Sequence, residues 1–446
     1  MTITSVKLPS VIPLILPAFV IAGPVLLFPD LLPSSWRWAT VTILALMAVG
    51  TGVTLLHPWR RTRSPLLLFG LAVAASWLLT GSTDLPALRH LGGIGLGLLA
   101  TALVATWCAS STRLLTIALV CTVAAGGVLT LGLTAATISQ AKFVGGPTGA
   151  SGWLAEVLPS LHLRLPGVES GRVNPNALAG TALLFLPFSI AVAFSASRLG
   201  RGRWTAVVAG GWTGFVAVLV LASMHSRTAL LALGLTAVVV SLHYRRTRVW
   251  IWTGIALATA GLAIASWSAY RESPHQFGET IQVTKYTYLQ RAAIWRQGTE
   301  RLLKHPLLGI GLYQFHDVAL PNSVYSPADP VTRVAHAHNT LIQVALDIGV
   351  PGLVGYVWLL GSVLLLARDA ARRGGPHGHL AIGAAYSIIA VHFFGLADAI
   401  ALGAKVGLFQ WLYVGLILAA YRTQLEELGP VGRQQGQSHA RHASRT

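Results

Sequence analysis

The chain has 446 residues; 54% are hydrophobic, only 10% are charged, and mean hydropathy is +0.64. A soluble domain is nearer a quarter charged, and so apolar a surface has no place in water, so soluble globular and disordered classes are both excluded. The formal net charge of +18 would suit nucleic acid on a soluble surface, but in a membrane protein Lys and Arg first report topology.

Apolar segments fall at about 11–29, 38–56, 65–81, 91–109, 114–135, 177–197, 205–223, 228–243, 250–268, 340–367, 380–397 and 405–421. A bilayer-spanning helix needs about 20 residues. The pattern predicts an all-α polytopic membrane protein with twelve transmembrane helices in one membrane domain, 1–422. A polar and disordered tail is expected over 423–446. The ten residues before the first segment carry only Lys7 and no clear cleavage site follows, so that segment reads as a retained span rather than a signal peptide. Cys108 and Cys121 lie in apolar segments; neither a disulfide framework nor a cysteine metal site is indicated.

The charges orient the spans. With the N-terminus inside, the even-to-odd loops carry Arg60, Arg61 and Arg63; Arg113; Arg198, Arg201 and Arg203; Arg245, Arg246 and Arg248; and Arg368, Arg372 and Arg373, with Arg422 opening the tail. The short loops on the other side carry Arg37, Arg89, Arg227 and Lys405. This asymmetry predicts N-in and C-in, and most of the positive charge is topology, with no call for nucleic acid as a partner. Two long loops, 136–176 and 269–339, then fall outside, and loops of such length are usually functional. Within the second, Leu289, Ala292, Trp295, Thr299 and Leu302 recur at helical spacing, with Arg296–Glu300 and Glu300–Lys304 as i,i+4 pairs. The segment 288–304 is expected to be an amphipathic helix at the outer interface, ended by His305-Pro306.

Four basic residues stand on this outer side. His338 lies in His336-Ala337-His338-Asn339 at the start of the run 340–367. That run is about 42 Å as a straight helix, longer than a hydrocarbon core of about 30 Å, and Gly349-Val350-Pro351-Gly352 is the expected break. The imidazole is either a general base for a hydroxyl or an interfacial side chain at a helix start. His336-x-His338 would also suit a metal, but no third ligand lies nearby in sequence. Arg227, after Ser226, sits at the outer face between two spans, as a functional cation or one that snorkels to headgroups. Arg291 opens the amphipathic helix and reads as a ligand-binding or a solvated charge. Arg172 precedes Asn174-Pro175-Asn176, which also reads as a turn and helix N-cap.

Three guanidinium groups and an imidazole fit a pyrophosphate. Arginine forks grip phosphate oxygens bidentately and stay charged, and they can neutralise a diphosphate leaving group. The outer acids, Glu156, Glu169, Glu272, Glu279, Glu300, Asp317 and Asp329, include no Asp-x-Asp pair, whereas a Mg²⁺ clamp wants clustered carboxylates. The expectation is a metal-independent mechanism with no cofactor.

His338-Asn339, nine residues, Gly349, two residues and Gly352 resembles the signature of the O-antigen ligase and O-antigen polymerase superfamily. The Ser226-Arg227, Arg291…Trp295…Pro306…Gly309-x-Gly311 and Arg172…Asn174-Pro175-Asn176 segments resemble it in the same order. The resemblance implies a GT-C type helical fold with a large periplasmic loop in the bacterial inner membrane. It implies transfer of a glycan from a polyprenyl diphosphate carrier to a sugar hydroxyl of lipid A-core. Arg227 and Arg291 would hold the donor diphosphate, with Arg172 and Asn339 as further substrate-binding residues, and His338 would activate the acceptor. Two alternatives stay open: a surface-polysaccharide polymerase using the same donor, and a lipid-linked glycan transporter or flippase. A transporter suits twelve spans, but Asp347 and Asp398 fall near outer span ends rather than mid-membrane, where ion-coupled transporters usually place acids.

Overall fold

The computed structural model describes residues 60–82, 84–107, 111–138, 174–196, 203–224, 226–243, 274–317, 319–321, 331–334, 336–404 and 406–427, with a few isolated positions between 249 and 271. The segments expected at 11–29 and 38–56, most of 250–268, and most of the first long loop lie outside the described residues. Ten α-helices are described: α1 Arg60–Thr80, α2 Leu85–Trp107, α3 Ser111–Ile138, α4 Pro175–Ala196, α5 Arg203–Ser223, α6 Arg227–His243, α7 Pro274–Lys304, α8 Thr340–Arg373, α9 Gly375–Phe394 and α10 Gly407–Glu427. A two-stranded antiparallel ribbon, β1 Ala319–Pro321 with β2 Val331–Arg333, interrupts the second long loop.

Seven of these helices are long and apolar enough to cross a membrane, and α6 is a shorter apolar helix. The chain is a multi-pass membrane protein. α4 packs on α5 and α9, α1 on α8, and α2 on α10, which also lies against α9. The core is mostly apolar, with Phe69, Phe185, Phe188, Tyr356, Phe394, Trp411 and Tyr413 buried in it. Small residues allow close approach where helices cross: a Cβ on Gly97 would lie 2.1 Å from Trp411, and one on Gly210 would lie 2.5 Å from the Ser189 carbonyl.

Two expectations shift. α10 continues to Glu427, five residues into the segment assigned to the tail. Arg422 Nε donates to Glu426 at 2.8 Å, one helical turn on, and Gln424 Nε2 donates to the carbonyls of Ala370 and Gly374, so polar residues here close an interhelical contact. The amphipathic helix is also longer than 288–304, beginning at Pro274, and its buried face matches the expected stripe only in part: Trp295 and Leu302 pack against a small core. Leu289 is exposed, as are Ala292 and Thr299, while Arg291, Ile294 and Gly298 are buried. Counting apolar residues misplaces the face because two of its members are an arginine and a glycine.

α8 breaks where expected. Ile348 (φ −137°, ψ 15°) and Gly349 (φ 74°, ψ 175°) are non-helical, and the two halves of α8 meet at this kink. The loop after α7 is laid backbone to backbone across it. Ile310 N–H donates to the Leu346 carbonyl at 2.7 Å, and Val350 N–H donates to the Pro306 carbonyl at 2.8 Å. These bonds satisfy peptide groups that a kink would otherwise leave unpaired in an apolar setting. Gly309 (φ +71°) faces the Leu346 carbonyl, where a Cβ would come within 2.2 Å; Gly349 faces the Leu307 carbonyl, within 2.1 Å. Here glycine is required twice over, by left-handed backbone and by space. Gly309→Ala or Gly349→Ala is expected to cost at least about 1–3 kcal/mol, read as a lowered unfolding midpoint of the purified protein; an unchanged midpoint would mean the junction is loose.

Candidate active site

The site forms where the start of α8 meets the end of α9. Asn339 caps α8: its Oδ1 accepts from the N–H groups of Leu341 and Ile342, both at 3.0 Å. Its Nδ2 donates to the Leu396 carbonyl at 2.9 Å, and Thr340 N–H donates to the Gly395 carbonyl at 2.7 Å. These bonds fix the turn 336–339 against the segment 395–399. Both ends of the Asn339 amide are engaged with protein, so its visible work is to cap and to dock.

That docking sets His338 against Asp398. The imidazole Nδ1 lies 3.1 Å from Asp398 Oδ1, and Oδ1 also accepts from Ala399 N–H at 2.9 Å. The other oxygen, Oδ2, is 3.7 Å from an Arg291 guanidinium nitrogen. Asp398 is 4% exposed and Arg291 7%, so the pair is desolvated and neither charge is tolerable there alone. Burial would push the Asp398 carboxyl up, but the hydrogen bond from His338, the charges of His338 and His336 and the Ala399 N–H together hold it below its ordinary value. An ionised carboxylate only accepts, so Nδ1 of His338 carries a hydrogen. In the neutral ring Nε2 is then the lone-pair nitrogen. The His338 side chain is 28% exposed and so can meet a ligand.

His336 supports the turn. Its Nδ1 accepts from the His338 N–H at 3.2 Å, and the two rings lie 4.3 Å apart. Burial, then the His338 charge and to a lesser extent that of Arg291, lower its pKa to about 4 although Asp398 pulls the other way. His338 itself adopts φ +48°, left-handed backbone that a non-glycine residue rarely takes, and Trp295 Nε1 donates to its carbonyl at 3.4 Å.

Arg291 comes from α7, held over the site by a small second core of Ile294, Phe315, Val334, Ala337 and Leu346. Its guanidinium also reaches Thr228 Oγ1 at 3.4 Å, the residue after Arg227. Arg227 is the first residue of α6 and is exposed, after Ser226, whose Oγ accepts from Ala229 N–H at 3.4 Å. The structure therefore brings His338, Arg291 and the α6 start together. Arg172 lies outside the described residues; its neighbour Asn174 caps α4, accepting from Asn176 N–H at 2.9 Å.

Sequence reasoning missed Asp398, reading it only as an acid near a span end. It also set a metal aside for lack of a third ligand. The fold supplies one from 60 residues away: His336, His338 and Asp398 offer ligand atoms within 4.8 Å of one another, a spacing a divalent transition metal can close. The same carboxylate already faces the permanent cation of Arg291.

A ring whose pKa falls on folding binds its proton more readily unfolded, so stability declines as pH falls from about 6.5 toward 4. Unfolding midpoints measured across that window are expected to drop in the natural protein and to drop less in His336→Asn; equal slopes would mean that His336 does not titrate with folding.

Residues 212–357 match a family model described as O-antigen ligase. No curated protein matches the sequence. The matched stretch runs from α5 through the kink in α8 and contains Arg227, Arg291 and His338, while Asp398 lies beyond it. The chain is thus similar to the O-antigen ligase family over about a third of its length, the part that carries the site's cations and its imidazole.

Proposed function

We propose that the protein is an O-antigen ligase-type glycosyltransferase of the bacterial inner membrane. It transfers a glycan from a polyprenyl diphosphate carrier to a sugar hydroxyl of lipid A-core at the periplasmic face. The observation that carries this reading is the buried Asp398 carboxylate shared between His338 and Arg291.

Three needs converge on that geometry. The acceptor is a hydroxyl, whose proton must leave as its oxygen bonds to the anomeric carbon. His338 Nε2 takes that proton, and Asp398 stabilises the imidazolium that results. The bond between the anomeric carbon and the diphosphate oxygen breaks, and the leaving oxygen keeps the electron pair. Arg291 and Arg227 at the α6 start counter that negative charge, with Arg172 assigned to the same diphosphate. Displacement in one step inverts the anomeric centre. The carrier's long lipid keeps the reacting carbon at headgroup depth, which is where an outward-facing site at span ends meets it.

Asp398→Asn keeps the shape but removes the charge that fixes the His338 tautomer. It is expected to lower kcat by about 10²–10⁴, measured with purified protein, lipid-linked donor and glycolipid acceptor; an undiminished kcat would remove Asp398 from the mechanism. Excess EDTA is expected to leave the rate intact, whereas a loss restored by Zn²⁺ would reassign His336, His338 and Asp398 to a metal. Deletion of the gene separates ligase from polymerase: free lipid A-core with accumulated carrier-linked polymer is the expected result, and core bearing a single repeat would assign polymerisation instead.

A further inference from the structure

We propose that Asp347 is a positioning residue for this reaction, acting through Gln343 to fix the turn that aims His338. The inference rests on the reading of His338 as the base. Asp347 lies beside the kink in α8, 4% exposed, and Gln343, one turn earlier, is 2% exposed. Asp347 Oδ1 accepts from Gln343 Nε2 at 2.8 Å and from Tyr313 N–H at 2.9 Å. Oδ2 lies 3.3 Å from His90 Nε2, whose ring stacks on Tyr313.

The Gln343 amide has no freedom to flip. Its NH₂ is drawn to a carboxylate, which can only accept, so its Oε1 must face the other way. What it faces is Ala337 N–H, at 2.8 Å. Reversing the amide would set oxygen against carboxylate and N–H against N–H. Ala337 is fully buried and immediately precedes His338, whose left-handed backbone is held against its own preference. The Asp347–Gln343 pair is thus the inner anchor of the turn, as Asn339 is the outer one. The same carboxylate oxygen, through Tyr313, holds the loop that follows α7, the helix carrying Arg291. A single acid beside the kink therefore braces both the imidazole and the loop behind the guanidinium.

The test uses the full-length protein in nanodiscs with lipid-linked donor and glycolipid acceptor. Gln343→Met keeps the volume but leaves Ala337 N–H without its acceptor. It is expected to lower kcat about 10–100-fold with donor KM nearly unchanged, to lower the unfolding midpoint modestly because a buried N–H loses its acceptor, and to cause no further loss of kcat when added to His338→Ala. Asp347→Leu is expected to behave like Gln343→Met, and Asp347→Asn, which keeps one acceptor oxygen, to lose less. Wild-type kcat in Gln343→Met, or an equal loss of kcat in the His338→Ala background, would overturn the positioning role. Full activity of His338→Ala would instead overturn the base assignment itself.

Discussion

A carboxylate with almost no access to water, Asp398, faces an imidazole through one oxygen and a guanidinium through the other. Removing an isolated charge from water costs several kcal/mol unless partners replace its hydration, so these three groups stand or fall together. Arg291 would lose its counter-charge without the acid, since among the described residues its other hydrogen-bond partner is the Thr228 hydroxyl. The features around them follow from this need. α7 is pinned by its own small core, α8 is capped by a side chain that also grips the neighbouring segment, and α9 ends where Asp398 can turn inward.

The membrane shapes the second layer of the design. A straight α8 would carry the His338 turn well past the hydrocarbon boundary, so the helix breaks, and in an apolar setting every peptide group freed by the break needs a partner. The loop after α7 supplies them. One element therefore does two jobs, closing the kink and tethering the helix that holds Arg291, which couples the position of the cation to that of the imidazole.

Much of this was legible in the sequence. The break at Gly349, the helix ending before His305-Pro306 and the capping of α4 by Asn174 follow from local rules about glycine, proline and asparagine, and the structure places them as read. His338 and Arg291 stand out through the motifs around them, and Arg227 because an ionisable residue at a span end is expensive to keep. Asp398 was missed because its meaning is entirely tertiary: 60 residues separate it from His338, and nothing around it repeats or pairs. The face of α7 was misread for a related reason. A buried arginine and a glycine pressed against Ile342 and Leu346 carry no apolar signal, yet they are the residues that touch. Asn339, expected on the substrate, is engaged at both ends of its amide in holding the turn.

The crossing of loop and kink has a mutational consequence. At Gly309 and Gly349 each backbone rests on the carbonyl of the opposing segment. Elsewhere in a core, an enlarged side chain can be accommodated by trimming its neighbour. Here the neighbour is main chain, and glycine is already the smallest residue available, so no compensating second-site change exists on either side. Variation can accumulate along the lipid-facing helices while this knuckle stays locked.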